Sequence, residues 1–267
     1  MKAASTIDRV LNELIGYEPE KIILFGSVAR GETDEFSDID LIVIKDTDRP
    51  FFQRLADVND FLPRDLAIDV LVYTPGEFEA MVEEGNPFIE RALEGGQVLY
   101  QKTPEGGPAK AASSWKMPVQ KGRAFMKKPL ETARRWLAQA EHSLTATQAL
   151  LDSGFWPEAC FHAEQTAQLA LKAFLYARGR RHITIHSVLE LAQQCAGEDG
   201  DFAPFVDYGG VLDRYYLSTR YPDALPEPAL PFESFTQGEA GQALAHATEI
   251  VELARAKVHA AQDRPAK

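Results

Sequence analysis

The residues whose types and spacing could do chemistry lie in one short stretch near the start of the chain. Gly26 and Ser27 follow an apolar run, and Asp38 and Asp40 open the next one. A glycine-serine turn after a strand presents backbone N–H groups that bind an anionic oxygen such as that of a phosphate. Two aspartates two positions apart on a strand project from one face, so their carboxylates can share a hard cation. The stretch therefore indicates a site for phosphate and metal.

A third carboxylate, Asp69, lies inside the apolar run 66–72, which is typical of a central strand buried on both faces. A lone charge there would be costly unless a cation or hydrogen bonds compensated it. If this strand pairs with the one that carries Asp38 and Asp40, the three carboxylates converge beside the glycine-serine turn, as two-metal phosphoryl transfer requires. Each aspartate alone has a structural explanation, a turn for Asp38 or a hydrogen-bonded carboxylate for Asp69. The joint pattern favours catalysis.

These side chains need a sheet to position them, and the hydrophobic pattern of the N-terminal part predicts one. The expected elements are two helices, 5–16 and 51–61, and four strands, 21–25, 39–45, 66–73 and 97–101. The Thr-Pro-Gly-Glu run at 74–77 predicts an N-cap with a capping box, and the helix that follows should turn Phe78, Met81 and Val82 inward. This order of elements indicates an α+β domain whose mixed sheet is covered by helices.

The chain has 267 residues, a length that favours two domains over one. Residues 105–125 concentrate Pro, Gly, Ser and Lys without a sustained apolar period, which predicts a linker. It separates a first domain, 1–104, from a second, 126–267, where the periodicity is helical almost throughout. Five helices are expected there: 129–153, 157–178, 186–196, 208–219 and 234–262. Short connections between long helices favour an all-α antiparallel bundle.

Composition argues against several classes of protein. The 28 basic and 40 acidic residues give a formal net charge of -12, which disfavours coating nucleic acid through a general positive field but allows a local basic cleft. No apolar run approaches the roughly 20 residues of a membrane-spanning helix, and the N-terminal pattern is that of an amphipathic helix rather than a signal peptide. We expect a cytoplasmic protein with no membrane partner. Cys160 and Cys195 are expected to fill core positions.

The combination of Gly-Ser, a gap of ten residues, Asp-x-Asp and a strand-borne Asp resembles the minimal nucleotidyltransferase branch of the DNA polymerase β superfamily over about residues 5–104. Gly-Ser or Asp-x-Asp alone would be a weak signal, whereas the whole set is specific. The resemblance implies that a nucleoside triphosphate is held by residues of the first loop, for which the candidates are Gly26, Ser27, Arg30 and Ser37. It also implies three catalytic Mg²⁺ ligands: Asp38, Asp40 and Asp69.

The second domain resembles a HEPN domain, a helical bundle named for nucleotide binding in higher eukaryotes and prokaryotes. The likeness rests on four segments: 133–141, 161–174, 186–191 and 220–223. It implies a homodimer through the helical domain. Many ribonucleases of this family carry an Arg followed within a few residues by a His, late in the bundle. After Arg220 no His occurs until His246, and Arg181 and His186 lie in an earlier connection, so ribonuclease activity and an RNA partner are not favoured.

Together the two resemblances imply a Mg²⁺-dependent nucleotidyltransferase that transfers a nucleoside monophosphate, most simply AMP from ATP, to an acceptor hydroxyl. The acceptor is a protein or a small molecule. In one interpretation it is a tyrosine of a HEPN domain in a toxin-antitoxin-like system, and Tyr221 beside Arg220 is the candidate. The alternatives are an antibiotic nucleotidyltransferase similar to those acting on aminoglycosides, a non-catalytic nucleotide-binding module, and a HEPN ribonuclease.

Overall fold

The computed structural model describes residues 2–31, 38–102, 108–110, 128–180 and 183–262. The chain divides into two compact units, Met1–Lys127 and Lys128–Lys267. Most of the predicted linker, 105–125, lies outside the described residues. Within it, residues 108–110 form a strand that was not expected. No helix in the described ranges combines the length and apolar character needed to cross a bilayer.

The first unit is a sheet with helices on both faces. Its helices are α1 (Lys2–Leu14), α2 (Gly26–Arg30), α3 (Phe51–Asn59), α4 (Pro75–Glu84) and α5 (Pro87–Leu93). Its strands are β1 (Lys21–Phe25), β2 (Ile39–Ile44), β3 (Ile68–Tyr73), β4 (Gln97–Lys102) and β5 (Pro108–Lys110). The strand order is β3-β2-β1-β4-β5, with β2 and β3 parallel and the other pairs antiparallel. The predicted α+β fold with a mixed sheet is confirmed.

The prediction that Asp69 lies buried on a central strand is wrong, although helices do cover both faces of this strand. Strand β3 is the edge of the sheet among the described strands, and Asp69 is exposed at its beginning. The apolar run 66–72 arises because helices cover both faces of β3, while one backbone edge has no neighbouring strand in the described part of the chain. An edge strand whose two faces are covered by helices and a central strand look alike in sequence, since both are continuously apolar.

Alternate residues of β2 enter two separate cores. Leu41 and Val43 pack in the core that contains residues of α1 and α3, whereas Ile42 and Ile44 pack in the core that contains residues of α4 and α5. Because side chains alternate along a strand, Asp40 projects to the same face as Ile42. The sheet therefore directs this carboxylate towards the α4–α5 face, at the end of β2 nearest Gly26.

Local capping signals start α4 and α5. Thr74 and Glu77 form the predicted capping box, in which the Glu77 N–H donates to Thr74 Oγ1 at 3.2 Å and the Thr74 N–H donates to Glu77 Oε2 at 2.8 Å. Phe78 is buried as expected, but Val82 is 37% exposed rather than turned inward. Helix α5 has no counterpart among the predicted elements. Asn86 begins it by accepting hydrogen bonds from the backbone of the first turn.

The second unit is helical, as predicted. Its helices are α6 (Pro129–Asp152), α7 (Trp156–Ala177), α8 (Val188–Glu198), α9 (Phe205–Leu212), α10 (Tyr215–Ser218), α11 (Pro231–Ser234) and α12 (Gln237–Gln262). The three long helices α6, α7 and α12 pack on one another, and the short connection from α6 to α7 makes this pair antiparallel. Cys160 and Cys195 are fully buried, which confirms their place in the core.

The helix predicted over 208–219 is divided into α9 and α10 at Asp213. The Asp213 carboxylate accepts hydrogen bonds from the backbone N–H groups of Val188 and Leu189, at 2.6 and 3.2 Å, and from Ser187 Oγ at 2.7 Å. It therefore satisfies the free donors at the start of α8, where a negative charge is also favoured by the helix dipole. This capping role depends on a partner distant in sequence, which periodicity cannot show.

A chain of polar side chains is buried along α7. Glu164 is 1% exposed and accepts hydrogen bonds from Gln165 Nε2 and Gln168 Nε2, both at 2.6 Å. Lys172 Nζ donates to Gln168 Oε1 at 3.1 Å. Burial is the main cause that raises the pKa of Glu164 to about 7, against the opposing effect of the two amides. The hydrogen bonds satisfy the carboxylate oxygens without removing the cost of burying the charge.

Candidate active site

The pairing of β2 with β3 brings two of the predicted carboxylates together. Asp40 and Asp69 are direct partners in the register of these parallel strands. Two positions after Asp69, Leu71 packs in the α4–α5 core, so Asp69 projects to the same face as Asp40. Asp38, which precedes β2, is exposed. The topology thus places Asp40 and Asp69 side by side at the end of the sheet, with Asp38 two positions before Asp40.

The glycine-serine turn lies directly against Asp40. Phe25, the last residue of β1, is the register partner of Asp40, so Gly26 begins α2 at the same end of the sheet. Gly26 has a φ of 74°, and a Cβ at this position would lie 1.9 Å from Asp40 Oδ2. Both the backbone conformation and the close approach therefore require glycine. Ser27, the next residue of α2, is half-buried.

The electrostatics indicate that the acidic residues act on one another. Burial is the first cause that raises the pKa of Asp40, followed by the negative charges of Asp69 and then Asp38. The positive charges of Arg30 and Arg91 act in the opposite direction. An excess of negative charge therefore surrounds Asp40, and a bound cation would neutralise it.

The donor set fits a hard divalent cation, because Mg²⁺ is bound by carboxylate oxygens. As the side chains stand, the described ranges contain no group of three or more His, Cys, Asp or Glu residues that could hold an ion. The carboxylate oxygens of Asp38, Asp40 and Asp69 lie at neighbouring positions. For all three to bind one cation, their side chains would have to converge. The charge repulsion at Asp40 favours that convergence around a cation.

Of the two other residues predicted to bind the nucleotide, Arg30 is described by the structure and Ser37 is not. Arg30 is exposed at the end of α2, and its Cγ lies 3.3 Å from the position that a Cβ of Gly95 would take. The start of β4 is tied to the same helix, since Gln97 Nε2 donates to the carbonyl oxygen of Ala29 at 2.7 Å. Arg30 thus lies over the turn before β4. Ser37 is outside the described residues.

Arg91 is a candidate functional residue that sequence reasoning missed. It lies on α5, which was not predicted, and it is exposed. Asn86 followed by Pro87 is a helix-start signal that could have placed this helix. The influence of Arg91 on Asp40, however, depends on how α5 packs on the sheet.

Replacing Gly26 with Ala tests the close approach to Asp40. We expect Gly26→Ala and Gly31→Ala each to lose about 1 kcal/mol of unfolding free energy, because Gly31 also has a positive φ, of 76°. Only Gly26→Ala should in addition displace the Asp40 carboxylate, since no atom of the described residues lies within 4 Å of a Cβ at Gly31. Urea denaturation of both variants measures the loss of stability. An assay of nucleotidyl transfer, the activity that the resemblance implies, measures the effect of displacing Asp40. Equal activity in the two variants would contradict it.

In the helical unit, Arg220 lies among aromatic rings. Its guanidinium carbon is 4.4 Å from the ring centres of Phe161 and Tyr216 and 4.9 Å from that of Tyr221. Its Nε also donates to the carbonyl oxygen of Tyr216 at 2.9 Å. Tyr221 is 50% exposed, so its hydroxyl-bearing ring is open to solvent. His186 is exposed as well, whereas Arg181 is outside the described residues.

Comparison with protein families matches both units. A model described as a nucleotidyltransferase domain matches residues 5–101, and a model described as a HEPN domain matches residues 133–257. The chain belongs to the nucleotidyltransferase family and carries a C-terminal HEPN domain. Both predicted resemblances are confirmed. The nucleotidyltransferase match contains Gly26, Asp40 and Asp69, and the HEPN match contains Arg220.

Several known proteins share parts of this nucleotidyltransferase-HEPN chain. A Methanocaldococcus jannaschii protein provisionally named as a protein adenylyltransferase is 33% identical over 79 residues, covering 29% of this chain and 73% of the relative. A second protein of that organism, provisionally named as a toxin, is 24% identical over 134 residues, covering 46% of this chain and 86% of the relative. Human sacsin is 36% identical over 115 residues, which are 40% of this chain but 2% of sacsin.

Among solved structures, that of the Thermus thermophilus protein TT1696 is 40% identical in sequence. It covers 47% of this chain and 97% of its own, with a TM-score of 0.44. The match to this chain thus spans a very small part of sacsin, whereas it spans nearly the whole of TT1696.

Proposed function

We propose that the protein is a Mg²⁺-dependent nucleotidyltransferase that transfers AMP from ATP to an acceptor hydroxyl. The observation that carries the proposal is the pairing of Asp40 with Asp69 on one face of the sheet, with Gly26 in contact range of the Asp40 carboxylate. The provisional name of one relative, a protein adenylyltransferase, supports the choice of AMP. A cytoplasmic location and a homodimer through the HEPN domain stay predictions.

Each residue has a part in the proposed reaction. The backbone N–H groups at Gly26 and Ser27 orient the phosphate chain, and Asp38, Asp40 and Asp69 hold Mg²⁺. When bound, the metal lowers the pKa of the acceptor hydroxyl and stabilises the charge of the departing pyrophosphate. The acceptor oxygen forms a bond to the α-phosphorus as the bond from that phosphorus to the bridging oxygen breaks. The hydroxyl proton passes to Asp69, whose exposure allows it to reach an acceptor.

We propose a protein tyrosine as the acceptor, in a toxin-antitoxin-like system, with Tyr221 as the candidate. Tyr221 is half exposed, and the neighbouring Arg220 guanidinium is a cation suited to bind a phosphate. The relative provisionally named as a toxin is consistent with such a system. A small-molecule acceptor, as in an antibiotic nucleotidyltransferase, is the rival outcome of the same experiment.

Mass spectrometry after incubation with ATP and Mg²⁺ tests both the reaction and the acceptor. We expect a mass gain of one AMP group per modified chain, with release of pyrophosphate. Tyr221→Phe should lose the gain because it lacks the acceptor hydroxyl. Tyr216→Phe is the matched control, since Tyr216 is also exposed and also contacts Arg220, and it should keep the gain.

The other outcomes separate the alternatives. A gain that persists in Tyr221→Phe would overturn the choice of this tyrosine while supporting the transferase. Modification of an added antibiotic without a gain on the protein would favour the small-molecule acceptor. Tight ATP binding with no pyrophosphate release over a panel of acceptors would instead indicate a non-catalytic nucleotide-binding module.

A further inference from the structure

Helix α5 presents an aromatic and a cationic side chain on one flank. Ile89 and Ala92 are buried in the α4–α5 core and fix how the helix lies on the sheet. Phe88 and Arg91 are three positions apart, so they are neighbours on the helix surface beside this buried face. Both are exposed. The pair is therefore held on a packed helix but is accessible to a ligand.

Phe88 lies next to the residue that pairs with Asp40. Its ring contacts that of Phe25 edge-on, with the ring centres 5.7 Å apart and the planes at 88°. Phe25 and Asp40 are register partners, so their side chains project to the same face of the sheet. Phe88 remains 38% exposed despite this contact. A flat apolar surface is thus available beside the carboxylates, and such a surface binds a nucleobase by stacking.

Arg91 supplies positive charge beside the same carboxylates. Arg91 precedes Ala92, which is buried in the same core as Ile42 of the strand that carries Asp40, so the packing of α5 holds Arg91 over this face of the sheet. Its positive charge lowers the pKa of Asp40, whereas the charges of Asp69 and Asp38 raise it. Within the described part of the chain, no hydrogen bond or ion pair occupies its guanidinium. The donors of a guanidinium fork match the oxygens of a phosphate. A positive group without a partner, next to carboxylates that repel one another, is suited to an anionic group of the substrate.

From these positions we infer that Phe88 and Arg91 form a nucleotide subsite, in which the Phe88 ring stacks on the nucleobase and the Arg91 guanidinium binds the phosphate chain. The inference deepens the proposed function and rests on it for the choice of a nucleoside triphosphate as the ligand. It assigns recognition of the nucleotide to α5, in addition to the turn at Gly26.

Equilibrium binding of two ligands separates the two contacts. The probes are an ATP analogue whose α–β bridge is not cleaved and inorganic tripolyphosphate, both measured by calorimetry with Mg²⁺ on the full chain. Arg91→Ala should weaken both ligands about tenfold, because each contains the phosphate chain. Phe88→Ala should weaken the ATP analogue about tenfold and leave tripolyphosphate unchanged, because only the analogue carries a base. A loss of packing alone would affect both ligands alike.

Two matched variants serve as controls. Arg64→Ala removes an exposed arginine of the same unit, and Phe52→Ala removes a ring that is 81% exposed and contacts Phe51 edge-on. Neither control should change binding. If Arg91→Ala fails to fold, Arg91→Gln keeps the length of the side chain without its charge and should show the same loss. Unchanged affinities in Arg91→Ala, or equal losses of both ligands in Phe88→Ala, would overturn the inference.

Calorimetry, combined with the assays of pyrophosphate release and mass gain, distinguishes this inference from the proposed function. One outcome is that wild type binds the ATP analogue but never releases pyrophosphate, while the Phe88 and Arg91 variants bind as weakly as expected. The subsite would then stand, and the proposed transferase activity would be wrong. A protein that transfers AMP normally, with unchanged affinity in both variants, would retain the transferase and lose the subsite.

Discussion

Asp40→Asn is expected to reduce pyrophosphate release from ATP by about a thousandfold while leaving the protein folded. The amide keeps the shape of the side chain but removes the negative charge that would hold Mg²⁺ between the glycine-serine turn and Asp69. Steady-state release of pyrophosphate, measured at saturating ATP and Mg²⁺, gives the change in rate.

The stability of this variant should move in the opposite direction from its activity. Burial and the charges of Asp69 and Asp38 raise the pKa of Asp40, so the charged form is less favourable in the folded protein than in the unfolded chain. Wild type therefore loses stability as the pH rises through this titration, and Asp40→Asn lacks that loss. At neutral pH its unfolding free energy should be equal to or above that of wild type.

Asp46→Asn is the matched control, because Asp46 is exposed just beyond the other end of β2. It should keep wild-type activity. If Asp40→Asn released pyrophosphate at the wild-type rate, the proposed function would be wrong. If instead it failed to fold, Asp69→Asn, on the exposed edge strand, would test the same cation site with less effect on the core.

Glu164→Gln is expected to stabilise the helical unit at alkaline pH by up to roughly 3 kcal/mol. Burial raises the pKa of Glu164 from 4.5 to about 7, so the folded protein binds this proton more tightly than the unfolded chain does. Wild type consequently loses stability as the pH rises from about 4.5 to about 7, and the loss is complete above that range. Glutamine cannot ionise, and its single side-chain oxygen can still accept a hydrogen bond from Gln168 Nε2. Its new amide group replaces the oxygen that accepted from Gln165, so Gln165 must turn its own amide and present its oxygen as the acceptor.

Urea denaturation at pH 5 and pH 8, followed by tryptophan fluorescence, measures this effect. The difference between Glu164→Gln and wild type should be small at pH 5 and largest at pH 8. Glu252→Gln, which changes an exposed glutamate on α12, should show no such pH dependence. A Glu164→Gln variant less stable than wild type at both pH values would mean that the buried carboxylate is stabilised as an anion by its amide donors and Lys172.

Several features follow from the sequence because the signals that produce them are local. The strand over 21–25 and the capping box at Thr74 and Glu77 occur as predicted. The helix expected over 129–153 ends one residue earlier. Alternation of apolar residues, a cap and a proline at the first helical position act within one or two turns of chain, so they can be seen in a single sequence. The family was indicated by a joint motif that is also readable in a single sequence: Gly26, Ser27, Asp38, Asp40 and the strand-borne Asp69.

Only the tertiary structure decided how those residues meet. The sequence placed Asp69 on a strand but could not show that this strand lies at the edge of the sheet. Helices bury the two faces of an edge strand and of a central strand alike, so both have the same apolar pattern. The register that sets Asp69 beside Asp40, the approach of Gly26 to within contact of that carboxylate, and the position of Arg91 all arise from contacts between separate elements. Burial of Glu164 likewise depends on the helices packed around α7. The sequence determined which chemical groups are present, and packing determined their distances and protonation, because desolvation and charge interactions depend on positions in space.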